Sequence, residues 1–126
     1  MYMTSSSAPG IKKCLITILR YVSGQQFKFH KDGAVTNEAG QTSKLSYLVY
    51  LNDDCEGGAT RFRESYDANG KLKHKKFIVS PATGTALLFR HERWHEGAAV
   101  ISGSKYVLRS NVFYSAESRE GVKQKD

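Results

Sequence analysis

The chain is poor in the features that would make it something other than a plain globular domain. It has two cysteines, Cys14 and Cys55, and two prolines in 126 residues. Two cysteines can build neither a disulfide framework nor a zinc site of paired C-x-x-C type. We read both as free thiols in a reducing compartment. No apolar run approaches the ~20 residues of a membrane span. The run "CLITIL" after two lysines is too short for a signal sequence and ends at Arg20. The expectation is therefore a cytoplasmic protein with no membrane partner. No segment has a 3.6-residue apolar period with caps, so helices are not expected. Acidic residues are also scarce, 12 against 19 lysines and arginines, giving a net charge of +7. The excess is dispersed. Its densest run, "KLKHKK" at 71–76, reads as a solvated hairpin tip, with His74 exposed, rather than a nucleic-acid patch.

What is present is almost all β. Eight segments alternate or are rich in β-branched and aromatic residues: 14–21, 26–30, 44–52, 59–63, 74–80, 85–90, 93–99 and 105–114. Glycine-bearing breaks separate them, and Asn69-Gly70 is a hairpin signal. Residues 1–11 read as a flexible lead-in, 12–114 as one domain and 115–126 as a charged tail. Eight strands without helices point to a double-sheet jelly roll, and this length supports a single core.

Chemistry enters at "FKFHKDG", residues 27–33. Residues i and i+2 of a strand share a face, so His30 and Asp32 would aim an imidazole and a carboxylate at one point. Either His91 or His95, flanking "ERW", could add a third ligand. A jelly roll brings its second and seventh strands together, so the sequence distance is no obstacle. Two histidines and one carboxylate on one face of a metal form the facial triad of non-heme Fe(II) oxygenases.

Three longer stretches then carry a resemblance. "LRYVSGQQFKFHKDG", "LVYLNDDCEGGATRF" and "PATGTALLFRHERWHEGAAVISGSKYVLRSNVFY" resemble, in order and spacing, segments of prolyl 4-hydroxylase-like 2-oxoglutarate- and Fe(II)-dependent dioxygenases. Together they span residues 14–114. The resemblance implies a double-stranded β-helix with His30, Asp32 and His95 as iron ligands. His95 is preferred to His91 for its "HEG" context, ten residues before Lys105. Lys105 matches the cation that clamps the distal carboxylate of 2-oxoglutarate, and Arg109, on the same strand face, is the runner-up. Tyr50 matches a tyrosine that hydrogen-bonds that carboxylate, and Tyr21 a position lining the cosubstrate pocket. Trp94 is read as packing.

The implied activity is hydroxylation of an unactivated C–H with release of succinate and carbon dioxide. It uses Fe(II), 2-oxoglutarate and dioxygen, with ascorbate as reductant. A prolyl residue of a peptide or protein is the leading substrate, with small molecules also represented on this fold. The competing readings are a catalytically silent jelly-roll binding module and a basic nucleic-acid-binding β domain. Two departures stand out. Phe29 replaces a common proline, and few residues precede Cys14 where relatives carry helices that support the larger sheet. An uncovered sheet face and a homodimer through it are the corresponding expectations.

Overall fold

The computed structural model describes residues 16–115 and the backbone of Tyr2–Thr4. Among the described residues thirteen strands run in the order β1 (Tyr2–Thr4), β2 (Thr17–Val22), β3 (Phe27–His30), β4 (Thr42–Tyr50), β5 (Glu56–Gly57), β6 (Thr60–Phe62), β7 (Ser65–Tyr66), β8 (Leu72–His74), β9 (Phe77–Val79), β10 (Ala86–Arg90), β11 (His95–Gly97), β12 (Val100–Ser102) and β13 (Ser104–Tyr114). No helix occurs among the described residues, and hence none that could cross a membrane. A five-stranded sheet ordered β1-β2-β13-β4-β10 faces a four-stranded sheet ordered β3-β11-β6-β9. All pairings within them are antiparallel. This is a double-stranded β-helix, the jelly roll expected from the sequence.

The eight expected strands correspond to β2, β3, β4, β6, β9, β10, β11 and β13. The other five have two or three residues each and no alternating stretch of their own around them. β7 and β8 form the hairpin marked by Asn69-Gly70. There the Asp67 carboxylate accepts from the amides of Asn69 and Lys71, and Gly70 adopts φ +78°. His74, expected to be exposed, is half-buried and hydrogen-bonded to Ser65. β4 ends at Tyr50 rather than Asn52. Asn52 leaves the ladder because its side chain donates to the Ser104 carbonyl and accepts from the Tyr106 amide. Cys14 lies outside the described residues, and Cys55 is a free thiol.

The space between the sheets is unusually polar. Among the described residues its buried apolar side chains are Tyr50, Phe62, Val100 and Val107, set among buried Ser43, Ser46, Thr60, His91, His95 and Lys105. Phe62 and Phe89 meet edge to face at 5.0 Å, and Phe89 packs in the same way on the His95 ring. The apolar side chains therefore brace polar ones. Register explains which residues meet. β13 pairs with β4 so that Arg109 lies opposite Leu48 and Val107 opposite Tyr50. These side chains face inward. The alternate residues Ile18, Leu45, Tyr47, Val49 and Leu108 line the outer face with Leu88, which is 59% exposed. The outer face is thus the more apolar of the two.

Candidate metal centre and its cavity

β3 ends at His30 and β11 begins at His95, and the two residues lie directly opposite each other. Their rings are fixed in the same way. His30 Nδ1 donates to the Lys28 carbonyl at 2.6 Å, and His95 Nδ1 donates to the Arg93 carbonyl at 2.8 Å. A carbonyl can only accept, so in each neutral ring the proton sits on Nδ1 and the Nε2 lone pair is available. Both Nε2 atoms face the Asp32 carboxylate, at 3.4 Å from Oδ1 for His30 and 3.6 Å from Oδ2 for His95. One donor atom from each of the three residues lies within 4.8 Å of the others. Burial pushes the His95 pKa down, and this outweighs the opposing pulls of the Arg93 carbonyl and Asp32. The neutral form, which is the one that binds metals, is favoured.

Asp32 reaches this point by a different route from the one its spacing implied. The strand stops at His30, so no shared strand face aims the carboxylate. Instead the Asp32 amide donates to the His91 carbonyl at 3.0 Å. Its carboxylate, 4% exposed, accepts from the Ser46 hydroxyl and pairs with Arg109 Nη2 at 3.0 Å. His91, the alternative third histidine, is outside the cluster, buried between Ser43 and Ser46. Two imidazole nitrogens with defined tautomers and one anchored carboxylate fit a divalent ion bound on one face.

The cluster opens onto a cavity of about 610 Å³ between the sheets, lined by Tyr21, Leu48, Thr60, Lys105, Val107 and Arg109 among others. Lys105 is 3% exposed. Its Nζ donates to the Gly58 carbonyl at 2.9 Å and lies 4.5 Å from the centre of the Tyr21 ring. Among the described residues no carboxylate pairs with it. Burial pushes the Lys105 pKa down, opposed only by Cys55. A buried ammonium without an anion is costly and is a ready partner for an anionic ligand. The double glycine makes room for it. Gly58 holds φ +76°, and a β-carbon there would stand 2.9 Å from Lys105 Cδ.

Tyr21 lines the cavity, but Tyr50 does not. Tyr50 is buried behind Thr60, sharing a hydrogen bond with its Oγ1 and donating to the Val79 carbonyl at 3.2 Å. Trp94 is a partial surprise. It is 37% exposed, with Lys31 and Arg63 each 5.1 Å from its ring, so it is a surface residue under two cations rather than a packed one. Thr60 and Ser46 were not singled out in the sequence. Alternation already put Ser46 on the Tyr50 face, and Thr60 sits inside the "GGATRF" stretch.

Residues 16–113 match the family model described as the 2OG-Fe(II) oxygenase superfamily. The chain belongs to this superfamily. The resemblance to prolyl 4-hydroxylases has a curated counterpart. The chain is 32% identical over 121 residues to prolyl 4-hydroxylase 1 of Arabidopsis thaliana, covering 80% of the chain and 41% of that protein. Among solved structures of the same fold is a Pseudomonas putida prolyl-4-hydroxylase, with TM-score 0.59 and 20% identity, covering 84% of the chain and 55% of the other. Another is a Trichoplax adhaerens prolyl hydroxylase in complex with a hypoxia inducible factor peptide fragment. It has TM-score 0.58 and 19% identity, covering 98% of the chain and 50% of the other. The oxygenase chain spans about two fifths of the curated relative and about half of these two solved structures.

Proposed function

We propose that this oxygenase hydroxylates an unactivated C–H, foremost that of a prolyl residue in a peptide or protein, with 2-oxoglutarate as cosubstrate. The observation that carries the reading is the pairing of two unlike ends in one cavity. A three-donor cluster stands at one end and a buried, anion-free Lys105 at the other. A ligand with a chelating end and a distal carboxylate satisfies both. Bound Fe(II) would supply the oxidative chemistry that splits 2-oxoglutarate to succinate and carbon dioxide and inserts oxygen into the C–H.

The chain's own residues do the rest. His30 and His95 present Nε2, while Ser46 and Arg109 hold the Asp32 carboxylate in place. Lys105 neutralises the distal carboxylate, and the Tyr21 ring and Thr60 hydroxyl form the wall beside it. Tyr50 acts through Thr60, fixing its hydroxyl. Leu48 and Val107 keep this section of the cavity apolar, which strengthens each charge contact in it. Arg109 is committed to Asp32, so the clamp falls to Lys105. The peptide or protein substrate rests on the relatives, one of which is seen with a peptide fragment. Ascorbate as reductant and pairing of two copies through the half-exposed outer face belong to the same reading.

The test is oxygen-dependent succinate formation from 2-oxoglutarate with Fe(II), screened against prolyl peptides and small metabolites. Succinate rising with a prolyl peptide supports the proposal. Absence of any Fe(II)- and oxygen-dependent succinate would leave a silent binding module.

A further inference from the structure

His91 forms the centre of a chain of hydrogen bonds that ends on the carboxylate of Asp32. The Val35 amide donates to Ser43 Oγ at 2.8 Å. Ser43 Oγ lies 2.8 Å from His91 Nε2, and His91 Nδ1 lies 2.8 Å from Ser46 Oγ. The Ser46 hydroxyl in turn donates to Asp32 Oδ2. The directions can be assigned from the two ends. A backbone amide can only donate, so Ser43 receives there and its own proton is free for His91 Nε2. The proton of Ser46 goes to the carboxylate, so Ser46 must accept from His91 Nδ1. One arrangement satisfies every group: a neutral His91 with its proton on Nδ1. The backbone adds two more ties, from the Asp32 amide to the His91 carbonyl at 3.0 Å and from the His91 amide to the Lys44 carbonyl at 3.1 Å.

We infer that His91 is a positioning residue for the metal centre. It sets the Ser46 hydroxyl so that its proton points at Asp32, and so holds the carboxylate together with Arg109. The two serines can flank one imidazole because of a β-bulge. The register of β13 against β4 shifts between Val112 and Phe113, passing from Leu45 to Ser43 and skipping Lys44. This brings Ser43 to the buried face of Ser46, three residues away rather than two. The result is a buried histidine with both nitrogens held by serine hydroxyls beside a carboxylate. Groups of this kind typically alter metal affinity about ten- to a hundredfold when removed.

The inference rests on the metal-centre reading, and Co(II) binding to the full chain separates the two. Co(II) is followed by its visible absorption, which reports ligand geometry as well as affinity. Wild type should bind, and Asp32→Ala should not. His91→Leu removes both imidazole nitrogens and should weaken Co(II) by about ten- to a hundredfold with an altered spectrum. His91→Asn keeps an N–H donor close to the Nδ1 position and should stay within about threefold of wild type with its spectrum. Ser43→Ala loses only the far end of the chain and should fall between them. A purely structural role predicts otherwise: thermal stability falls in both His91 variants, while the folded protein keeps its affinity and spectrum. Folded His91→Leu binding Co(II) within about threefold of wild type, with the same spectrum, overturns the inference and leaves the metal centre standing. Should His91→Leu fail to fold, an unchanged Ser43→Ala overturns it equally. Wild type that does not bind Co(II), or Asp32→Ala that binds as well as wild type, overturns the metal centre itself.

Discussion

The two ends of the cavity are built on different principles. At the metal end every donor is oriented by a hydrogen bond, and Asp32 by several. Each histidine is tied to the carbonyl two residues before it, and Asp32 has partners in His91, Ser46 and Arg109. At the other end Lys105 has one carbonyl and one aromatic face, and its charge is unanswered. On the proposed reading the two ends receive different ligands. Ligands for a metal must be placed before it arrives, because their mutual geometry selects it. A clamp for a carboxylate needs only a buried cation at the right depth, since the ligand's own charge completes the site.

The comparison breaks most severely at Asp32. Asp32→Ala should abolish divalent metal binding and 2-oxoglutarate turnover while the protein stays folded. Arg109 is 35% exposed and can turn to solvent, and Ser46 keeps His91. Metal titration with circular dichroism checks both halves, and near-wild-type turnover would remove Asp32 from the site. His95→Ala should match this loss, because His95 rather than His91 lies in the cluster.

At the opposite end, Lys105→Ala should leave metal binding nearly intact and weaken 2-oxoglutarate by roughly 3–5 kcal/mol, the cost of a buried, unpaired charge. That is on the order of a hundred- to several-thousandfold in affinity. Arg109→Ala should cost the cosubstrate less and the metal more, because its guanidinium pairs with Asp32. Calorimetry with Mn(II) in place of iron ranks the two variants. Reversal of their order would move the clamp to Arg109.

A smaller effect is expected at Gly58→Ala. The left-handed backbone at φ +76° costs a non-glycine residue about 1–3 kcal/mol, and the new methyl presses on Lys105. Lower thermal stability together with weaker 2-oxoglutarate binding is the expected result. Lost stability with unchanged binding would show that Lys105 tolerates displacement.

The mildest probe is pH. Folding lowers the Lys105 pKa, so between its folded and unfolded values the unfolded chain holds more protons. Stability from this group therefore rises with pH across that window in the absence of ligand. A bound carboxylate favours the charged form, so 2-oxoglutarate affinity should fall as pH climbs through the folded value. Binding isotherms across alkaline pH check the sign, and Lys105→Ala should flatten the trend.

Much of this was legible in the residues. Alternation placed eight strands, and the glycine breaks placed the turns between them. His30, Asp32 and His95 stood out by spacing and motif. Lys105 needed the family resemblance, because a lysine at the start of a strand is ordinarily solvated. Other features left no such trace. Strands of two or three residues carry little period, so β1, β5, β7, β8 and β12 were not legible as strands, although Asn69-Gly70 marked the turn between β7 and β8. Tyr50 was expected to touch the cosubstrate, but a strand face fixes only which side a residue points to, not how deep it sits. Thr60 turned out to stand in front of it.

The sheet class, the strand order along the chain and the residue types able to hold a metal and an anion were all written in the residues themselves. These follow from local period and side-chain chemistry, which any stretch of chain carries with it. The three-dimensional packing alone set where His91 goes instead of the cluster, what anchors Asp32 once its strand has ended and why no carboxylate among the described residues pairs with Lys105. Those outcomes depend on the register of β13 against β4, the bulge that turns Ser43 inward and the close approach at Gly58. Each is a contact between residues far apart in the chain, where depth and register are set by packing rather than by neighbours.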